Sequence, residues 1–244
     1  MNRKTLLLGA VGALVVLAGA LWFFFLRSDA PPEANLEDAV AAVTSTTEGA
    51  SEESGEPAAP APTTQPRDSL DGAWTVEQSA SFVGYRIDEE LANLGAITAV
   101  GRTSDIVATL EFLGSEVTDL QVTVDMTTIT SDRSQRDSAM RTRGLETNTF
   151  PEASFSLTAP IDLGAVPTEG ETFSASAAGE LTLHGVTQPV SLDLEGSLVE
   201  GVVVVVGSVE IALADYDIEK PTGFSVISIA DVGLLELQLA FVPA

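Results

Sequence analysis

Few groups in this chain can do chemistry. Cysteine is absent and His184 is the only histidine, so thiol nucleophiles, disulfides, a lipid-modified bacterial leader and Cys/His metal clusters all lack their atoms. No Gly-x-Ser-x-Gly run supplies a nucleophile elbow. His184 stands beside Gly185, where two alternating segments meet, and a lone imidazole at a strand end reads as a polar group satisfied by nearby backbone. Asp215, Asp217 and Glu219 alternate as a Ca²⁺ loop would require, but the glycine and distal glutamate of an EF-hand are missing. That run reads as a solvated strand end stopping at Pro221. Carboxylates are plentiful, yet nothing singles out a pair for glycoside hydrolysis. Arg133, Arg136, Arg141 and Arg143 crowd into eleven residues. Arg136 and Arg141 are candidate contacts for an anionic headgroup, against the plainer reading of a solvated helix face that neutralises neighbouring carboxylates. The residues predict a protein that is not an enzyme and has no metal or cofactor.

The elements that would position these groups begin with an uncharged run over residues 6–26, preceded by Arg3 and Lys4. As a helix it would span roughly 31 Å, the thickness of a bilayer core. The positive-inside bias places the short N-terminus in the cytoplasm and the rest outside. Residues 1–27 are thus expected to be an uncleaved single-pass signal-anchor in the cell membrane; Ala18-Gly-Ala20 offers the alternative of a cleaved leader. Residues 28–70 turn to Ala, Pro, Ser, Thr, Glu and Gly with nine carboxylates, a composition that predicts a disordered acidic linker. A short helix over 35–43 fits the residues, but nothing demands it. As a coil this linker would reach about 35 Å.

Residues 71–244 have the size of one domain. They hold seven basic residues against twenty-seven acidic ones, most of the net charge of −25, which argues against nucleic acid or an anionic leaflet as a direct partner. Period-two alternation predicts strands at 74–78, 81–87, 106–112, 117–126, 153–159, 172–183, 201–213 and 234–242, with a hairpin over 179–196 that turns at Gly185 and meets Pro189. Residues 89–101 are less regular and read as a turn of helix or a loop. Residues 131–145 read as a short helix with Ser131 or Ser134 as N-cap and Gly144 as its stop. The expected fold class is all-β: an antiparallel barrel of nine or ten strands with one or two short helices, because closure removes exposed edges. Inward Val, Leu and aromatic residues, with small Gly84, Ala175 and Ala177, would leave room for one elongated apolar ligand.

Leu181-Thr-Leu-His-Gly-Val-Thr-Gln-Pro-Val190, preceded in order by Arg136-Asp-Ser-Ala-Met-Arg141 and Phe150-Pro-Glu-Ala-Ser-Phe155, resembles the YceI-like family of bacterial exported proteins across residues 74–242. The resemblance implies a lipocalin-like barrel with a helix near its mouth and an interior that holds a polyisoprenoid or similar amphiphilic chain for transport, storage or sequestration. It departs from the family at Ala80 to Glu89, where two family histidines are missing and Tyr85 keeps the aromatic position. On this reading the ligand is lined by Val83, Tyr85, Val122, Val124, Met126, Phe155, Leu157, Leu181, Leu183, Leu192 and Leu237. The partners are then a lipid and, through the N-terminal helix, the membrane; a homodimer stays open. The alternative is a cavity-poor acidic barrel that docks another envelope protein.

Overall fold

The computed structural model describes residues 30–49, 69–223 and 226–244. The expected anchor over 1–27 and most of the linker lie outside these residues, and no helix among the described residues is long and apolar enough to cross a membrane.

Thirteen strands form one antiparallel sheet. They are β1 (Gly72–Val76), β2 (Phe82–Leu91), β3 (Gly95–Thr103), β4 (Ile106–Leu113), β5 (Glu116–Asp125), β6 (Thr130–Ser131), β7 (Glu152–Leu157), β8 (Ile161–Asp162), β9 (Thr172–Leu183), β10 (Val186–Val199), β11 (Val202–Ala212), β12 (Val226–Ile229) and β13 (Val232–Pro243). Eight of them, β1-β4-β5-β7-β9-β10-β11-β13, close on themselves because the last part of β13 pairs with β1. The first half of β13 pairs instead with β2, which carries β3, β6 and β12 as an extension of the wall. Closure pairs the long strands without leaving a flat exposed edge.

The 179–196 hairpin is the joint of β9 and β10. Its loop is the two residues His184 and Gly185, both at positive φ (53° and 75°), the geometry of a type I′ turn whose twist matches the strands. Pro189 pairs with Glu180 on one side, while β10 meets β11 only from Asp193 onward. Its missing N–H therefore faces a free edge.

Several expectations are corrected. Residues 89–101 are the β2–β3 hairpin, turned at Gly95 (φ 75°), not helix or loop. Asp215 is not in a strand end: a 3₁₀ turn over Leu213–Tyr216 ends at Asp217 in left-handed conformation, with Tyr216 and Ile218 buried. Among the described residues no group of three carboxylates or imidazoles could hold a metal ion. Gly84 does not face the lumen, since a Cβ there would strike Arg102 and the Gly101 carbonyl on the outer face.

The largest correction concerns residues 28–70. Within them α1 (Leu36–Gly49) is a helix, capped where Asn35 Oδ1 accepts the Asp38 N–H at 2.9 Å. Its Ala39 and Val43 are buried against Val204, Val206 and Ala240 of the barrel's outer wall. Composition alone suggested a chain too polar to order itself. Tertiary contact, not intrinsic propensity, orders it.

The second helix, α2 (Ser134–Met140), has Arg133 as its N-cap, with no side-chain bond from that residue. Ser131 instead bonds Asp137 through both its N–H (3.0 Å) and its hydroxyl (2.6 Å). The α2 end of the barrel is packed with Met126, Ile129, Met140, Leu183 and Tyr216. At the opposite end Trp74 donates to the Leu70 carbonyl at 2.8 Å and meets Phe112 edge-on at 5.9 Å.

Candidate functional site

The inward positions of β2, β4, β5, β7, β9, β10, β11 and β13 enclose a cavity inside the barrel. The space in which the centre of a water molecule could move is about 100 Å³, within about 1010 Å³ of atom-free volume that includes the opening to solvent. The cavity lining runs along β5 from Val117 to Val124, roughly 23 Å at about 3.3 Å per residue, a length that suits an extended chain. Of the twenty-five residues in its wall only Ser154 has a polar side chain. Such a surface offers burial and no orientation by hydrogen bonds.

Seven of the eleven residues named from sequence lie in this wall: Val83, Val122, Val124, Phe155, Leu181, Leu192 and Leu237. Four do not. Met126 and Leu183 are buried in the plug at the α2 end, Leu157 packs on the core at the end of β7, and the Tyr85 ring lies against Gly101. Sequence reasoning missed the half of the wall away from α2, including Phe112, Val117, Ile161, Leu163 and Phe173. The alternating pattern holds for Phe112 and Val117, each of which sits beside the β4–β5 turn. Leu163 lies outside any strand and shows no periodicity.

Glycines help to keep the lumen open. A Cβ on Gly179 would come within 2.3 Å of Phe155 Cζ, and one on Gly196 within 2.4 Å of Phe173 Cζ. Both rings therefore lie along the wall over a neighbouring strand instead of projecting across the cavity.

The headgroup candidates differ from one another. Arg136 is partly buried, its side chain 11% exposed, and bonds Glu89 and Asp132. Burial alone would lower its guanidinium, but the bond and charge of Glu89, followed by Asp132, outweigh this and raise its pKa. Arg141 is exposed. Beside Arg136, burial pushes the Tyr85 hydroxyl well above the usual tyrosine range, with the carboxylates of Asp137, Glu89 and Asp132 adding to the shift and Arg136 opposing it. Tyr85 Oη and Arg136 Nε are both buried without a hydrogen-bond partner. His184 is buried: Nδ1 meets the Tyr216 carbonyl at 3.0 Å, Nε2 meets Glu146 Oε2 at 3.1 Å, and the ring lies tilted at 56° against Phe150, centroids 4.2 Å apart. Among the described residues its ring nitrogens meet no hydroxyl, and the cavity wall does not include it.

The YceI-like domain family matches this chain over residues 74–241, from β1 to the last strand. The chain belongs to the YceI-like family. Among YceI-like relatives, a UPF0312 protein of Vibrio parahaemolyticus is 28% identical over 144 residues, covering 54% of this chain and 71% of that protein. Protein YceI of Shigella flexneri is 29% identical over 120 residues, covering 48% of this chain and 56% of that one. Two solved structures share the YceI-like barrel. A polyisoprenoid binding domain from Saccharophagus degradans, implicated in plant cell wall breakdown, superposes with a TM-score of 0.57 at 19% identity over 70% of this chain and 98% of its own. BcnA of Burkholderia cenocepacia superposes at 0.54 and 16% identity, over 68% and 98%.

Proposed function

We propose that this YceI-like protein is a membrane-tethered, extracytoplasmic binding protein that holds a polyisoprenoid or similar long apolar chain inside the barrel, for transport, storage or sequestration and without catalysis. The observation that carries this reading is the cavity lined along the strands by twenty-five residues of which one has a polar side chain. The likeness in fold to a polyisoprenoid binding domain supports it. Burying about ten CH₂ equivalents of a chain contributes about 8 kcal/mol at ~0.8 kcal/mol each, a micromolar affinity if fully realised. Ordering the chain subtracts from this. The uncharged run over 6–26 after Arg3 and Lys4 supports the tether and its orientation. The runner-up, a barrel filled by its own side chains that serves only to dock another protein, fits the cavity less well.

The test is lipid extraction and native mass spectrometry of the full-length protein purified in mild detergent. An apolar lipid should co-purify with the protein, or added prenol should bind stoichiometrically. A protein that carries no lipid and takes up no prenol would overturn the reading.

A further inference from the structure

The stretch that leads from the expected anchor toward the barrel is itself bound to the barrel wall. Glu236, on the outer face of β13, is 1% exposed. Its carboxylate faces Arg102 Nη2 at 2.7 Å and Arg86 Nη1 at 3.6 Å. Residues 32–35 lie over this group. Ala34 donates its N–H to Glu236 Oε2 at 3.3 Å, Arg102 Nη2 donates to the Pro32 carbonyl at 2.6 Å, and Glu33 lies 3.9 Å from Arg86 Nε. Arg102 is held in place from below by the Phe82 ring, 4.1 Å away.

The apolar half follows at once. β11 begins with the run Val202 to Val206, apolar on both faces, which an antiparallel strand open to water on one side does not carry. Val203 and Val205 belong to the cavity wall. Val204 and Val206 point the other way and are 1% and 5% exposed because Ala39 and Val43 of α1 cover them. Ala39 is fully buried, so the helix approaches the sheet as closely as a methyl side chain permits. The outer wall is thus built for a cover, and residues 32–49 of the same chain are that cover.

We propose that residues 32–49 are a strap that fastens the barrel to the membrane end of its linker, so that the working tether is the four residues 28–31 and not the whole of 28–70. The proposal rests on the anchor reading given under Proposed function. Four residues reach at most about 14 Å, against about 35 Å on average for the full linker as a coil. The barrel is then confined near the bilayer from which an apolar ligand would come. The fastening is also reversible by construction. If the strap leaves, Glu236 keeps both arginines and no buried charge is orphaned. α1 alone is a fourteen-residue helix whose Thr44 and Ser45 hydroxyls bond back to Val40 and Ala41 carbonyls, too weak to persist undocked.

The test uses the full-length protein in liposomes with a site-specific protease sequence placed between residues 58 and 63. After cleavage the barrel fragment should stay with the floated liposomes, held by the strap alone. In an Ala39→Asp/Val43→Asp variant, which leaves every barrel residue unchanged, most of the fragment should pass to the supernatant. A wild-type fragment released as completely as the variant's would overturn the strap. The uncut protein controls for the anchor. If it fails to float, the anchor reading falls and the tether proposal falls with it. Docking is then read separately, by whether the cut N-terminal piece co-elutes with the barrel in detergent.

Discussion

Phe173 on β9 lies over Gly196 of β10, its cross-strand partner, so closely that a Cβ at Gly196 would fall 2.4 Å from the ring and 3.0 Å from the Val204 carbonyl. A real side chain there must push the ring off the wall, and the lumen that the ring lines is open to receive it. Gly196→Ala should therefore lower stability by about 1–3 kcal/mol, as overpacking does, and also reduce the lipid recovered per protein. Denaturant midpoints with extraction of the same preparation check this. Lipid content unchanged alongside the stability loss would show that the ring does not guard the cavity.

The complementary change fills the cavity without touching the wall's packing. Ala175 is inward and half-buried beside the lumen. Ala175→Phe should occupy space that a chain would use, cutting prenol affinity by about tenfold or more, equivalent to about 1.4 kcal/mol, while the thermal midpoint moves by a few degrees at most. Fluorescent prenol titration reads the first quantity and calorimetry the second. Equal affinity in both proteins would place the ligand elsewhere.

The barrel and much of the cavity wall were legible because alternation is a direct image of a sheet with a dry and a wet face. Val122, Val124, Leu181 and Leu192 could be placed from that pattern alone. The pattern became misleading where a strand has no wet face. The valines at 202 to 206 read as one more buried strand, with no hint that their outer half needs α1. Composition hid the other side of the same contact, since two small apolar residues, Ala39 and Val43, suffice to dock a segment that is otherwise acidic and rich in Thr and Ser. Tyr85 faces inward as its alternation implies, yet the cavity wall does not include it, because its ring turns aside over Gly101, its partner on β3.

The two candidate arginines should separate cleanly. Arg136 is partly buried and paired with Glu89 and Asp132, whereas Arg141 is exposed. Arg136→Gln leaves Glu89 buried without its cation and should cost about 3–5 kcal/mol. Arg141→Gln should change stability by no more than about 0.5 kcal/mol. Urea unfolding of both variants checks the pair. If either arginine grips an anionic headgroup, its loss should also weaken prenyl phosphate relative to prenol; equal loss for both ligands marks a structural role.

The chain has only two tyrosines, and burial raises the pKa of each, with Asp215 adding to the effect at Tyr216. An unfolded tyrosine ionises near pH 10. A raised folded value means that the unfolded state loses its proton first, so this contribution to stability is complete below about pH 10 and is lost as pH climbs toward the folded values. Absorbance titration should accordingly show less tyrosinate at pH 10 than the roughly one half that unshielded tyrosines would give. The signal should rise together with loss of β-sheet circular dichroism as the protein unfolds. Tyr85→Phe should flatten the alkaline fall in thermal midpoint and remove half of the tyrosinate amplitude. A smooth titration centred near pH 10 with the sheet intact would mean that neither hydroxyl is shielded as the structure places it.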